Sequence, residues 1–94
     1  MTTQETKDNL LIKAAKQGMI PLIKELLAEG ANVHAGNDYA LRWASGNGHI
    51  DTVAMLLEAG ADVHAEDDYA LRWASHNGHT EILTILKNHI AKKN

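Results

Sequence analysis

Apolar residues along this chain recur at helical rather than strand spacing. The clearest stretch sets Ile50, Val53, Leu56 and Leu57 on one face, the pattern of an amphipathic helix, and Gly60 stands where such a helix ends. The sequence also superimposes on itself at a shift of 30 residues. Residues 31–60 and 61–90 agree at 16 positions, including Asp-Tyr-Ala-Leu-Arg-Trp-Ala-Ser at 38–45 and at 68–75. Carried upstream, the same shift sets Asp8, Leu11, Ala14, Gly18, Leu26 and Gly30 beneath Asp38, Leu41, Ala44, Gly48, Leu56 and Gly60, so a diverged copy opens the chain. A repeat of this period implies small units that stack in a row.

Each copy predicts helix, tight turn, helix, loop. Asp8, Asp38 and Asp68 stand just before an apolar run, where a carboxylate can accept from the unpaired amides of a first helical turn, and they are assigned as N-caps. The first helix is expected to be about two turns long and to end at Gly18, Gly48 and Gly78, which reach positive φ at little cost. Pro21 suits the first turn of a second helix, where its missing amide is not needed. Small residues at 14 and 15, 44 and 45, and 74 and 75 allow close approach of neighbouring first helices. Helices this short cannot bury an apolar face alone, so each pair must cover the next.

Substitutions in the outer copies indicate which way faces point. Lys13 replaces Trp43 and Trp73, as expected if that position packs towards a preceding copy. Lys87 replaces Leu27 and Leu57, as expected if that position faces a following one. The expectation is one all-α domain over residues 1–94: a three-repeat solenoid with an N-terminal cap (1–30), an internal repeat (31–60) and a C-terminal cap (61–94), complete in itself.

Composition supports a helical reading and narrows the chemistry. The chain has no Phe, one Pro and scattered β-branched residues. With no Cys there is no disulfide framework, thiolate nucleophile or cysteine-based zinc site, which favours an intracellular, cytoplasmic setting. The N-terminus is polar, and no apolar run approaches the roughly 20 residues that span a bilayer, so no membrane association is expected. The net charge of −3 is unevenly spread. Residues 31–70 carry Asp38, Asp51, Glu58, Asp62, Glu66, Asp67 and Asp68 against Arg42 alone, whereas residues 71–94 carry Arg72, Lys87, Lys92 and Lys93 against Glu81. Nothing forms the basic stripe that nucleic acid requires.

The stretch Ser-Gly-Asn-Gly-His-Ile-Asp-Thr-Val-Ala-Met-Leu-Leu-Glu-Ala-Gly-Ala-Asp-Val-His-Ala at 45–65 resembles the ankyrin-repeat family's Gly-His turn, amphipathic helix and Gly-Ala-Asp-Val-Asn-Ala run. Ala-Leu-Arg-Trp-Ala-Ser at 40–45 and 70–75 is similar to that family's Pro-Leu-His-x-Ala-Ala segment. The common unit is 33 residues long; here three are missing between Ala35 and Tyr39, and Thr-Pro is replaced by Tyr-Ala. The shorter unit resembles repeats of giant amoebal viruses. The deletion falls where the family forms its projecting β-hairpin finger, so blunted loops without strands are expected. The resemblance implies a binding scaffold whose loops and first helices form a concave face for a partner protein. The candidate contacts on that map are Gly36, Asn37, Asp38, Tyr39, Arg42, Gly46 and Asn47 in one copy and Glu66, Asp67, Asp68, Tyr69, Arg72, His76 and Asn77 in the next, with Lys16 and Gln17 extending the row.

Other chemistries fit less well. His49 and His79 occupy the Gly-His turn, where imidazole bonds loop backbone. His34 and His64 lie one repeat apart, and packed helices about 8–10 Å apart cannot both reach one ion at about 2 Å. The acids at 66–68 lack the glycine-bearing loop and distal Glu of a calcium site. Trp43 and Trp73 are expected to seal repeat interfaces rather than to form a ligand platform. Ser45 and Ser75 lie at a packing register with no activating base, so no catalytic residue, metal or cofactor is expected. The expected function is protein binding, as antagonist or adaptor of a host factor. The expected partner carries a basic patch, and the chain acts as a monomer; self-association of the acidic middle with the basic tail is the alternative.

Overall fold

The structure, a computed structural model, describes residues 3–92. Among them lie six helices and no strand: α1 (Gln4–Gln17), α2 (Ile20–Ala28), α3 (Ala35–Asn47), α4 (Ile50–Glu58), α5 (Ala65–His76) and α6 (Thr80–Lys92). They pair as α1/α2, α3/α4 and α5/α6. The first helices α1, α3 and α5 pack side by side as one layer, and α2, α4 and α6 form the layer behind.

The small residues explain the close first layer. Ala14, Ala15, Ala44 and Ser45 are almost wholly buried, and Ala74 likewise, whereas Ser75 is exposed because none of the described helices covers that side of α5. Leu11, Ile23, Leu41, Val53, Leu56, Ile82 and Leu86 fill the space between the layers with no more than 1% exposure. The helices end as their glycines require. Gly18, Gly48 and Gly78 have φ of 68°, 81° and 74°, and the amides of Met19, His49 and His79 turn back to the carbonyls of Ala14, Ala44 and Ala74. Pro21 lies in the first turn of α2. Lys13 and Lys87 are exposed, while Trp43 and Trp73 lean towards the preceding first helix, at Lys16 and Gly46 respectively.

Two expectations are corrected. α1 is 14 residues long, not two turns, because the segment that bends away in later copies continues here as right-handed helix from an N-cap at Thr3, whose hydroxyl accepts from the Thr6 amide. The aspartates are not N-caps either. Asp8 lies inside α1, and Asp38 and Asp68 have φ of 59° and 60°, closing a left-handed turn over residues 36–38 and 66–68. Their carboxylates serve other partners, described below.

Leu41 is fully buried between neighbours on both sides, whereas Leu71, its repeat-mate, is only partly buried. It borders an open hollow of about 560 Å³ with Ser75, Leu83 and Lys87 at the uncovered end of the stack. Leu41→Ala is therefore expected to cost about 2–5 kcal/mol and Leu71→Ala distinctly less. Urea melts of the two variants check this, and equal losses would contradict the packing.

Candidate functional site

The loops that join one repeat to the next are built on an unusual backbone. Gly36, Asn37 and Asp38 all adopt left-handed φ/ψ, as do Glu66, Asp67 and Asp68. A side-chain-bearing residue in this conformation costs roughly 1–2 kcal/mol, least for Asn and Asp, so something must hold the turn. In each loop an arginine does. Arg42 Nε donates to the Asn37 carbonyl at 3.1 Å and Nη2 to the Gly36 carbonyl at 2.9 Å; Arg72 does the same to Asp67 (2.9 Å) and Glu66 (3.2 Å). The planar guanidinium presents two parallel donors, a geometry that lysine lacks.

Two of the aspartates then tie their own repeat to the loop that follows it. Asp38 Oδ1 accepts from the Asp62 amide at 2.8 Å, and Asp8 Oδ1 accepts from the Asn32 amide at 2.7 Å. Each carboxylate is steadied by a polar side chain four residues earlier: Gln4 on Asp8 (2.7 Å), His34 Nδ1 on Asp38 (3.0 Å) and His64 Nδ1 on Asp68 (2.5 Å). Gln4, His34 and His64 share one register, so the two histidines act as hydrogen-bond partners of aspartate. Among the described residues no loop amide meets Asp68, since α6 remains helical to Lys92. Its side chain is accordingly 50% exposed, against 6% for Asp38.

A second set of bonds closes the opposite end of the first helices. The Lys16 carbonyl accepts from Asn47 Nδ2 at 3.0 Å and faces His49 Nε2 at 2.8 Å. The Gly46 carbonyl accepts from Asn77 Nδ2 at 2.8 Å and faces His79 Nε2 at 3.1 Å. The Gly-His turn thus bonds backbone, as expected, but backbone of the preceding repeat. Among the described residues no group of three or more His, Asp or Glu side chains gathers around a common point. Ser45 is fully buried, and its hydroxyl meets no hydrogen-bond partner.

Along the first-helix row, cations and aromatic rings are interleaved. Lys16 Nζ sits 4.3 Å from the Trp43 ring, and Trp43 lies 5.8 Å from Tyr39. The Arg42 guanidinium is 4.8 Å from Tyr39 and 5.0 Å from Tyr69; Arg72 is 5.5 Å from Tyr69. Tyr69 stacks on Trp73 at 5.4 Å, and His76 adjoins Trp73 at 6.3 Å. Such contacts are worth about 0.5–1 kcal/mol each at partly exposed positions. The tryptophans cover the seam between adjacent first helices from outside instead of being enclosed in it, and Trp73 is 40% exposed.

The sequence-predicted contacts therefore separate into two groups. Asp38 is corrected: it is buried and presents no carboxylate to a partner. Asn47, Asn77, Arg42 and Arg72 lie on the face with their polar ends engaged by backbone carbonyls. Glu66 accepts from Asn37 Nδ2 at 2.9 Å, which joins two loops, and Tyr69 is held between the arginines. Tyr39, Asp67, Asp68, Trp73 and His76 keep substantial open surface; Trp73, expected to seal a repeat interface, lies against Gly46 of the preceding first helix and is open on its outer side. Gly36 is exposed and Gly46 covered, with Lys16 and Gln17 exposed at the near end of the row.

A row of short helix pairs, each stapled to the next through loop and turn backbone, defines a helical repeat solenoid. The chain belongs to the ankyrin-repeat family: a family model described as ankyrin repeats in three copies matches residues 1–67. No curated protein matches the chain. Ankyrin repeats are generally protein–protein interaction modules. Among the described residues no helix is long and apolar enough to cross a membrane.

The aspartate tie yields a prediction with an internal control. Asp38→Ala and Asp68→Ala impose the same left-handed backbone on alanine, but only the first strips an inter-repeat acceptor and leaves the Asp62 amide unpaired. The first is expected to cost about 1–3 kcal/mol more than the second. Thermal or urea melts compare the two, and equal shifts would show that the tie contributes nothing.

Proposed function

We propose that the chain is a non-enzymatic binding module that grips a partner protein through its loops and first-helix row, as an antagonist or adaptor of a host factor. The observation that carries this is the combination of an immobilised face with open aromatic and acidic surface. Arg42 and Arg72 lock the loop backbone, so little conformational entropy remains to be lost on binding, while Tyr39 and Trp73 are 37% and 40% exposed on the first-helix row and Asp67 and Asp68 keep open surface in a loop of the same face. Aromatic residues dominate binding hot spots, and charges of one sign speed the encounter with an opposite patch. The acidic stretch favours a partner with a basic patch over nucleic acid. The exposed Lys13 and Lys87 put a charge at registers that hold Trp43 and Leu57 inside the stack, and burying those charges against a second copy would cost desolvation, which favours a monomer. The 30-residue unit, with its Asp-Tyr-Ala-Leu-Arg-Trp-Ala-Ser segment, supports a place among the short repeats that resemble those of giant amoebal viruses.

The test compares wild type with Glu66→Lys/Asp67→Lys in binding to the partner captured from host lysate. Association is expected to slow about tenfold or more at low salt, with the gap closing as salt rises. Because Glu66 also holds Asn37, and because lysine suits the left-handed backbone at 67 less well than aspartate, Asp67→Asn alone serves as the folding control: it removes the charge, matches Asn37 one repeat earlier, and is expected to leave the melt unchanged. A wild-type association rate across the salt series would remove the acidic loops from the contact.

A further inference from the structure

The repeat offers a comparison of each site with its own copy. Position 16 recurs as 46 and 76, and position 43 recurs as 73. In the first seam Lys16 reaches across to the ring of the tryptophan 27 residues later, with its ammonium 4.3 Å from the Trp43 centroid. In the second seam the same register holds Gly46. It has no side chain to send, and a Cβ there would lie 3.3 Å from Trp73 Cε3, so the two positions are in direct contact. Trp73 is 40% exposed, whereas Trp43 is half-buried. The row Lys16, Trp43, Tyr39, Arg42, Tyr69, Arg72 thus places a cation against each aromatic ring except the last tryptophan. Trp73 has Tyr69 stacked beside it and His76 tilted at 61° to it.

We infer that Trp73, with Gly46 beneath it, is a receptor for one lysine or arginine side chain of the partner, which takes the place that Lys16 occupies over Trp43. The inference rests on the basic-partner reading above and identifies its anchor. Three features define the occupant. The ring's negative face attracts a cation, as it does one repeat earlier. The flat indole suits the long apolar stem of a basic side chain as well as its charged head. The loop of the same repeat carries Glu66, Asp67 and Asp68, a surplus of acid over Arg72 and over Lys87, which shares a hollow with Arg72 and His76, so a cation is drawn towards this repeat. A carboxylate would meet the ring face unfavourably and the acidic loop as well.

The test follows the two indole N–H resonances of the ¹⁵N-labelled chain, assigned with Trp43→Phe, during titration with an octapeptide of alternating lysine and serine. A second titration uses the same peptide with every lysine acetylated. The lysine peptide is expected to shift the Trp73 resonance and leave that of Trp43 in place, and the acetylated peptide to shift neither. Trp73→Leu is expected to weaken binding about two- to fivefold, the share of one exposed cation–π contact. Gly46→Lys is expected to weaken it similarly by filling the place from within, with its own melt as the check on folding. Equal shifts of both indoles, or shifts of equal size with the acetylated peptide, would overturn the assignment. Movement of the Glu66 and Asp67 amides without Trp73 would overturn the receptor while leaving the basic-partner reading intact. No movement at the loops or at Trp73 would overturn both.

Discussion

A nine-residue helix such as α2 or α4 gains too few hydrogen bonds to offset the cost of its nucleation in water, and one paired with a single neighbour still leaves a face of leucine, isoleucine and valine exposed. Coverage of each helix pair by the next is the constraint on which the other features of this chain depend. It requires alanine and serine where first helices touch, because larger side chains would hold α1, α3 and α5 apart, and it requires the same face to be apolar in every copy. The outer positions show the rule by exception. Ser75 and Lys87 stand at registers that are buried in the middle of the stack and are exposed here.

Apolar stacking alone would permit neighbouring pairs to slide, since dispersion and burial have little direction. Two sets of polar bonds fix the register. At one end of the first helices a carboxylate from one repeat takes an amide from the following loop; at the other end a carbonyl takes the asparagine and histidine of the following turn. Both involve backbone, so each is satisfied only when the two repeats sit in one relation. The left-handed turns belong to the same device. They bring Asp38 beneath the next loop, and the arginine that offsets their strain also fills the space between Tyr39 and Tyr69. Stability and the shape of the binding face are therefore set by the same residues.

This explains what could be read in the sequence and what could not. The helix pairs, the glycine stops, the proline at the start of α2 and the direction in which position 43 faces follow from short-range rules or from comparing copies, and all are found. The left-handed turn was invisible because its cause is not local. Glu66, Asp67 and Asp68 have no intrinsic reason to adopt φ near 55–60°; the reason is Arg72, several residues on and one helical turn away. The aspartates misled for a related reason. Position alone makes Asp38 a helix cap, but its preferred donor is an amide 24 residues distant, which only the stacked structure supplies. The one clue in the sequence was that Gln4, His34 and His64, all able to donate, recur four residues before each aspartate.

The two identical-length copies also show where recognition can vary. In the loop and first helix, residues shared between 31–60 and 61–90 are those engaged in the fold: the aspartate, the arginine, the tryptophan, the small pair, and the asparagine and histidine of the turn. The positions that differ there are few. Asn32 becomes Asp62, Gly36 becomes Glu66, Asn37 becomes Asp67 and Gly46 becomes His76. Changing a shared residue breaks a tie between repeats and loosens the face as a whole, so it cannot tune one partner against another. Changing a differing one alters charge or access at the surface and leaves the aspartate, arginine and turn ties in place, with the Asn37–Glu66 bond the one link between loops that it can touch. Three of the four changes add acid in the loop of the third helix pair, and the fourth turns on whether a side chain covers the neighbouring indole. On the proposed binding face, selectivity is thus concentrated at the Trp73 end, where the acidic loop and the uncovered ring lie in the same repeat.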